Sequence, residues 1–339
     1  MSKAAITGWG SAVPPGELTN ASLASMLDVS ESWIYQRTGI KSRRVVGPGQ
    51  TTSSLAIEAS RLAIGRAGLG PEDIDLVIVA TATPDFQLPA TASLVQSALG
   101  CSHAGAYDLN AACSGFLYAL AQANASIESG ACRRVLVCGA DTLSLVTDYS
   151  DARSCVLFGD GAGAVVVEAS PHSEGLGPFV LHSDGSDPDL LYVRSDERLI
   201  RMQGREVYRR AVEEMSASLL EVLGGAGIGI GDVDIVVAHQ ANARIVEAVA
   251  ARLGIDRSRL VMNIEALGNT SAASIPIALA DAADEGRLAP GDVVAIAAFG
   301  AGFSWGAGVL RWAPRSVAKP PRARLPELVG TTAHLLELA

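Results

Sequence analysis

The stretch PEDIDLVIVA at residues 71–80 recurs, 159 residues later, as IGDVDIVVA at residues 230–238. In each copy a short acidic turn leads into an apolar run, which is typical of a buried strand in an α/β protein. Farther along, Leu99-Gly100 recurs as Leu253-Gly254. The spacing of these matches indicates that the chain repeats itself.

Two turns of small residues, NAACSG at 110–115 and LGNTSA at 267–272, each precede an apolar helical pattern. Residues 130–140 likewise correspond to residues 290–300. The alternative explanation for these matches is chance similarity, because βα units generally share short apolar strands. Since four matches occur in the same order at nearly one offset, the sequence predicts two copies of one α/β unit.

Helical periodicity is found in four stretches, at residues 52–67, 115–129, 207–223 and 243–253. A turn-rich break near residues 169–178 separates the copies. We therefore predict an N-terminal half over residues 1–170 and a C-terminal half over residues 171–312. Residues 313–339 form a Pro-rich tail, which we expect to be disordered or to contain a short helix.

Composition excludes several classes of protein. The 339 residues are 49% hydrophobic and carry a net charge of −10, with a mean hydropathy of +0.28. An acidic chain is unsuited to general nucleic-acid binding, which requires a basic surface. No apolar stretch approaches the ~20 residues that span a bilayer. We expect a large buried core, no membrane segment and no nucleic-acid partner.

The five cysteines are odd in number and include no CxxC motif, and no signal-peptide pattern opens the sequence. These features favour free thiols in a reducing, cytoplasmic setting. Cys101 and His103 form the single close Cys/His pair, and no second pair completes a zinc site. We expect no bound metal.

Cys113 lies in a strand-to-helix turn, between a strand-like run at 104–109 and an apolar helical pattern. Peptide dipoles at a helix N-terminus favour the thiolate, which predicts a lowered thiol pKa. Neighbouring Ala, Ser and Gly residues permit a tight bend and close approach of a substrate carbonyl. We therefore predict that Cys113 is a nucleophile. We interpret the remaining cysteines as inert thiols: Cys101, Cys132, Cys138 and Cys155.

His239 follows the apolar run 233–238, and α/β sheets bind ligands at such strand ends. It can support a thiolate and donate a hydrogen bond to an oxyanion, although a structural histidine is the alternative. Asn269, aligned with Cys113 at an offset of 156, is expected to approach it across the interface between the copies. The side-chain amide of Asn269 can donate a hydrogen bond there without gaining or losing a proton. The alternative is that Asn269 is a helix N-cap.

Two glycine-rich segments need separate interpretations. GDGAG at 159–163 lies between strand-like runs and opens no helical pattern, so we predict a hairpin turn rather than a phosphate loop. GAGFS at 300–304 follows the run 293–299, and its backbone can supply an N–H group to an oxyanion hole.

Together, AACSGF around Cys113, HQANARI around His239 and GNTSAAS around Asn269 resemble the β-ketoacyl-acyl carrier protein synthase III family. WIYQRTGI at 33–40 and FGAGFSWG at 299–306 are similar to further motifs of that family. The resemblance extends over residues 3–312. It implies a thiolase-like fold, a duplicated five-layer αβαβα body that usually forms a homodimer.

The resemblance also implies a reaction. Cys113 accepts a primer acyl group from acyl-CoA, and malonyl-acyl carrier protein then loses CO2 and attacks the acyl-Cys113 carbonyl. His239 and Asn269 stabilise the enolate, and the backbone N–H groups of Cys113 and Ala301 hold the tetrahedral oxyanion. No cofactor is implied beyond these substrates. The product is a 3-oxoacyl-carrier protein, at the start of fatty acid or polyketide synthesis.

The same resemblance assigns binding residues. Trp33 and Arg37 match positions that contact CoA, and the positions matched to carrier-protein docking are Arg209, Gln240, Arg244 and Arg252. A solvated surface arginine is the alternative for each basic residue. The chain differs from typical members in having Ala152 where an arginine is usual, and in a shorter segment at 186–201.

Two other functions stay open. The first is a specialised acyltransferase that moves an acyl group to an oxygen or nitrogen nucleophile. The second is a non-catalytic subunit that binds the carrier protein, which the intact set of Cys113, His239 and Asn269 disfavours. Elongating ketosynthases carry a second histidine in place of Asn269, and thiolases carry a second cysteine in the C-terminal glycine loop, so both differ from this chain.

Overall fold

The computed structural model describes residues 3–170 and 175–313. The tail predicted for residues 313–339 lies outside the described residues, apart from Ala313. The predicted boundary at residue 170 borders the undescribed residues 171–174 and stays a prediction.

The strands of the described residues are β1 (Lys3–Ala12), β2 (Gly16–Thr19), β3 (Ser42–Val45), β4 (Leu76–Ala80), β5 (Gly105–Leu109), β6 (Arg134–Thr142), β7 (Asp160–Ser170), β8 (Leu176–Ser183), β9 (Leu191–Val193), β10 (Ile200–Met202), β11 (Ile235–Ala238), β12 (Val293–Gly300) and β13 (Ser304–Arg311). Two sheets form the body of the protein, with strand orders β1-β7-β6-β4-β5 and β11-β12-β13-β8. The pairs β2–β3 and β9–β10 are short antiparallel ribbons.

The helices of the same residues are α1 (Asn20–Met26), α2 (Glu31–Thr38), α3 (Thr52–Ala67), α4 (Thr91–Leu99), α5 (Gly115–Glu128), α6 (Gly204–Ala226), α7 (Ala243–Leu253), α8 (Ile264–Leu267) and α9 (Ser274–Asp284). The four predicted helices correspond to α3, α5, α6 and α7. Local signals explain this agreement: α3 begins with a capping box between Thr51 and Ser54 and ends at Gly68 in the left-handed conformation.

The two sheets have the same plan. In the first, β4 is parallel to β5 and β6, while β7 and β1 continue the sheet antiparallel. In the second, β11 is parallel to β12, and β13 and β8 continue antiparallel. A single bridge from Val236 to Leu260 takes the place of the fifth strand. The predicted duplication is confirmed.

Three buried clusters define the layers. One packs α3 and α4 against the first sheet, one packs α6 and α7 against the second, and the central one contains α5 and α9 between both sheets. The order is therefore helices, sheet, helices, sheet, helices, which confirms the predicted five-layer αβαβα fold. No helix within residues 3–170 and 175–313 is long and apolar enough to cross a membrane.

The hairpin predicted at GDGAG is wrong, because Asp160 begins β7 and the whole motif except Gly159 lies in that strand. Its glycines serve close packing. A Cβ on Gly163 would lie 2.6 Å from the backbone nitrogen of Ile277, and one on Gly161 would lie 2.8 Å from the Ile277 side chain. The backbones of α9 and β7 therefore approach each other closely at these glycines.

Gly163→Ala should lower the free energy of unfolding by about 1–3 kcal/mol, because a methyl group there forces α9 away from β7. Gly224→Ala is the matched control: nothing lies within 4 Å of its added Cβ in α6, so a gain of about 0.5–1 kcal/mol is expected. Urea unfolding of both variants measures the difference. Equal stability of Gly163→Ala and the natural protein would contradict this packing.

Candidate active site

One cleft of about 1830 Å3 is lined by residues of both halves, and it contains Cys113, His239 and Asn269 together. The three residues come from three loops: the turn before α5, the end of β11 and the turn before α9. Sequence reasoning thus identified a set of side chains that the fold assembles. The set has the composition required for acyl transfer through a thiol with neutral hydrogen-bond donors beside it.

The turns before α5 and α9 are copies of each other. In the first, the Ala112 N–H donates to Asn110 Oδ1 at 3.1 Å, and Ala112 has a φ of 47°. In the second, the Ser271 N–H donates to Asn269 Oδ1 at 2.9 Å, and Ser271 has a φ of 52°. A short 3-10 helix follows in both.

This geometry corrects the alignment of the two turns. Asn269 corresponds to Asn110, and Cys113 corresponds to Ala272, at the offset of 159 that also relates β4 to β11. The offset of 156, which paired Asn269 with Cys113, is wrong by three residues because it matched the turns by composition rather than by their hydrogen bonds. The expectation that the two turns lie at one site is unaffected.

Asn269 is buried and held on three sides. Its backbone N–H donates to Leu157 O at 2.8 Å, and its carbonyl accepts the Gly159 N–H at 3.0 Å. The bond from the Ser271 N–H to Oδ1 closes a local turn, and the N-cap of the following 3-10 helix is Thr270 rather than Asn269. That bond also fixes the orientation of the amide, because an oxygen that accepts from the backbone leaves Nδ2 as the group free to donate.

His239 is buried at the end of β11. Its backbone N–H donates to Ala297 O at 2.8 Å, and its Nδ1 lies 2.6 Å from Ser274 Oγ. Burial lowers the pKa of His239 to about 3. The imidazole is therefore neutral at physiological pH, and it can donate from one nitrogen without delivering a proton.

Cys113 lines the cleft, but the surrounding protein desolvates its thiol and raises its pKa to about 11. A hydrogen bond from the Ser271 hydroxyl opposes this shift, and the Asp141 carboxylate adds to it. The lowered pKa predicted from the helix N-terminus is wrong for the free protein, because desolvation outweighs the favourable dipole of α5. Cys113 is a neutral thiol at pH 7.

Each half supports the turn of the other. Asp141, at the end of β6, is buried, and its Oδ2 accepts the Ala272 N–H at 3.1 Å. Its Oδ1 accepts from Thr81, Ala82 and Thr83 of the first half at 2.8–3.1 Å. Burial raises the pKa of Asp141, whereas these donors lower it. The carboxylate thus ties the turn before α9 to the first sheet.

The second half returns this support. Ser304 Oγ donates to Ala111 O at 2.8 Å, and Ser114 Oγ donates to Ser304 O at 2.7 Å. A Cβ on Gly300 would lie 2.7 Å from the backbone nitrogen of Cys113. The loop that contains Ala301 therefore lies against the nucleophile turn, and Ala301 also lines the cleft.

Trp33 and Arg37 both line the cleft, and the Arg37 guanidinium lies 4.7 Å from the centre of the Trp33 ring. Arg153 also lines the cleft, but it is exposed and pairs with Asp151 at 2.9 Å. The arginine beside Ala152 is thus engaged with its neighbour, while Arg37 occupies one face of the indole. An aromatic ring with a stacked cation suits a nucleotide base and its phosphates.

The predicted docking residues do not share one environment. Arg244 lines the cleft and lies 5.6 Å from the centre of the Tyr208 ring. Arg209 lies outside the cleft lining on α6, where it pairs with Glu206 and Glu213 at 3.2 Å. Arg252 belongs to the last turn of α7. Only Arg244 of these three arginines lines the cleft.

Gln240 is fully buried, so its predicted role in docking is wrong. Its amide nitrogen donates to Ala238 O at 2.8 Å and to Val261 O at 3.0 Å, and Oε1 accepts the Asn263 N–H at 3.3 Å. These bonds join β11 to the segment after α7. Gln240 is a structural residue beneath the site.

Sequence reasoning missed several cleft residues. Arg194 and Arg198, in the loop between β9 and β10, and Arg205, in the first turn of α6, line the cleft. The density of arginine in the short segment 194–205 was the available signal. Ser274 was also missed, although it lies in the same GNTSAAS motif as Asn269. Within residues 3–170 and 175–313, no group of three or more His, Cys, Asp or Glu side chains could hold a metal ion.

Comparison with known proteins gives consistent matches. The model described as 3-oxoacyl-[acyl-carrier-protein (ACP)] synthase III matches residues 107–185, and its C-terminal counterpart matches residues 223–312. A β-ketoacyl-[acyl-carrier-protein] synthase III of Erythrobacter litoralis is 49% identical over 321 residues, which cover 92% of this chain and 100% of that protein.

Solved structures agree with these matches. The 3-oxoacyl-[acyl-carrier-protein] synthase III of Aquifex aeolicus superposes with a TM-score of 0.89 at 44% identity, covering 91% of this chain and 100% of that chain. The priming β-ketosynthase from the R1128 polyketide biosynthetic pathway gives a TM-score of 0.88 at 36% identity, covering 92% and 97%.

The raised pKa of Cys113 predicts how its alkylation depends on pH. The rate with iodoacetamide should rise about tenfold for each pH unit between 7 and 10, because only the thiolate reacts. Intact-mass kinetics measure it, with Cys113→Ala giving the background from the other thiols. A rate that is already constant by pH 8 would show that the helix dipole outweighs desolvation.

Proposed function

The chain belongs to the β-ketoacyl-[acyl-carrier-protein] synthase III family of acyltransferases, and on that premise we propose that it condenses a primer acyl-CoA with malonyl-acyl carrier protein. The observation that carries the proposal is the cleft in which the Cys113 thiol, the neutral His239 and the Asn269 amide meet. The product is a 3-oxoacyl-carrier protein, made at the start of fatty acid or polyketide synthesis.

In the first step, Cys113 attacks the thioester carbonyl of acyl-CoA. The proton of the Cys113 thiol is transferred to the sulfur of the departing CoA. The step therefore consumes one neutral thiol, Cys113, and releases another, CoA. Because the pKa of Cys113 is raised, deprotonation accompanies the attack and does not precede it. Backbone N–H groups of Cys113 and Ala301 hold the tetrahedral oxyanion, and loss of one such donor typically costs ~3 kcal/mol.

In the second step, malonyl-carrier protein loses CO2, and the resulting enolate carbon attacks the acyl-Cys113 carbonyl. Cys113 leaves as a thiolate and takes a proton from solvent. His239 and Asn269 donate hydrogen bonds to the enolate oxygen. Since the pKa of His239 is about 3, the imidazole stabilises this anion without quenching it by protonation.

The mouth of the cleft supports the assignment of substrates. Trp33 with Arg37 offers a stacked surface for the adenine and phosphates of CoA. Arg244, also at the cleft, presents positive charge to an acidic carrier protein on a chain whose net charge is −10. Arg209 and Arg252 are proposed as more distant docking residues.

A homodimer is part of the proposal. Strand β5 is the outer edge of the first sheet and pairs only with β4 among the described residues. Beside it, the loop before α4 exposes 86% of Leu88 and 55% of Phe86, and Tyr107 on β5 is also exposed. Apolar side chains around an unpaired strand edge favour a second copy of this chain as the partner.

A cytoplasmic location is proposed from the chemistry. The nucleophile is a free thiol, and the remaining cysteines of the structure are also free. A reducing compartment keeps such thiols available for acylation.

Condensation and simple acyl transfer both begin with acyl-Cys113, so the second step decides between them. Acyl-enzyme mixed with malonyl-carrier protein should give CO2 and a 3-oxoacyl-carrier protein by mass. Cys113→Ser should form no acyl adduct, whereas Asn269→Ala should acylate but release CO2 about 100-fold more slowly, because it lacks one enolate donor.

Two outcomes would count against condensation. Acyl-enzyme that persists with malonyl-carrier protein but clears with an alcohol or amine acceptor would assign the protein to acyl transfer. Normal CO2 release by Asn269→Ala would leave Asn269 with only its structural bond to the Ser271 N–H.

Leu88→Asp should weaken the dimer at least tenfold in sedimentation experiments, because it places a charge in the proposed apolar contact. Leu220→Asp on α6, where 55% of the leucine is exposed, is the control and should leave the association unchanged. A monomeric natural protein, or dissociation by Leu220→Asp alone, would refute the β5 interface.

A further inference from the structure

Ser274, the first residue of α9, lies against the imidazole of His239. Its Oγ is 2.6 Å from Nδ1 of His239 and 3.4 Å from the backbone nitrogen of Gln240. All three residues are at most 1% exposed. The buried Ser274 hydroxyl must therefore find its hydrogen-bond partners within the protein.

Counting donors and acceptors assigns the direction of these bonds. The Gln240 N–H can only donate, so Ser274 Oγ accepts from it. No acceptor for the Ser274 hydroxyl other than His239 Nδ1 is found in the described part of the chain. If Nδ1 carried the imidazole proton, two N–H groups would face one oxygen and the hydroxyl hydrogen would have no acceptor. The arrangement in which every one of these donors has an acceptor requires an unprotonated Nδ1, so the imidazole proton lies on Nε2.

We propose that Ser274 is a positioning residue that holds His239 in the Nε2–H tautomer, so that Nε2 is the donor to the malonyl thioester carbonyl. The inference rests on the proposed condensation for its kinetic consequence, but the tautomer itself is a property of the free protein.

The tautomer decides whether His239 helps or hinders the reaction. An Nε2–H group stabilises the enolate oxygen, whereas the other tautomer presents a lone pair to that anion and repels it. The other donor to the enolate is Nδ2 of Asn269, whose amide is oriented by the bond from the Ser271 N–H to Oδ1. A single buried hydroxyl thus selects the productive form of the second donor.

Histidine 15N chemical shifts distinguish the two neutral tautomers directly. In full-length protein labelled with 15N-histidine in a deuterated background, the His239 signals at pH 7 should show a protonated Nε2 and an unprotonated Nδ1. These signals are assigned to His239 by their disappearance in His239→Gln. An Nδ1–H form of His239 in the natural protein would overturn the proposal without any variant of Ser274.

Ser274→Ala should show both tautomers of His239 and release CO2 from malonyl-carrier protein roughly tenfold more slowly, which is the rate equivalent of about one hydrogen bond. Ser274→Thr retains a hydroxyl and should restore the single tautomer and most of the rate. Ser218→Ala on α6 removes another fully buried serine hydroxyl, which has no hydrogen-bond partner among the described residues, and should change neither readout.

The readouts separate three results. A pure Nε2–H tautomer in Ser274→Ala, with or without a slower reaction, would reject the proposed role. Mixed tautomers together with normal CO2 release would reject its importance for the reaction. If the natural protein releases no CO2 from any malonyl-carrier protein, the proposed condensation fails, and the spectra still decide which tautomer Ser274 selects.

Discussion

The reciprocal support between the two turns is the constraint on which the rest of the site depends. The first half holds the turn of Asn269 through the buried Asp141, and the second half holds the turn of Cys113 through Ser304. Both contacts require backbone approach at distances that only glycine permits, as at Gly300. Neither half contains a complete site, because each provides the frame in which the residues of the other are oriented.

Features encoded by neighbouring residues could be predicted from the sequence. The bounds of α3 and α7 agree with the periodicity because caps and left-handed glycines stand at their ends, such as Asn242 and Gly254 for α7. The duplication followed from recurring segments, and the five-layer arrangement followed from the resemblance to the synthase III family. Cys113 and His239 were recognisable because each follows a strand, where this class of fold collects its functional groups. Asn269 was recognisable because its turn of small residues resembles that of Cys113.

Features set by distant residues could not be predicted. GDGAG was assigned to a hairpin because glycine indicates turns locally, whereas its glycines make room for Ile277, more than 100 residues away. Gln240 suggested a docking surface, but its amide is buried and donates to Ala238 O, two residues earlier, and to Val261 O in the segment after α7. The pKa of Cys113 was predicted from its helix alone, and desolvation by the surrounding protein reverses the direction. In each case the tertiary environment outweighs the local signal.

Asn269 is bonded through its backbone to both Leu157 and Gly159, and residues 156–158 form part of the cleft wall. This wall of the cleft and the amide proposed to act on the malonyl group are thereby mechanically coupled. A substitution that widens this wall for a bulkier acyl chain also displaces the amide that acts on the malonyl group. Natural or laboratory evolution that widens this wall must therefore proceed through compensating pairs of changes.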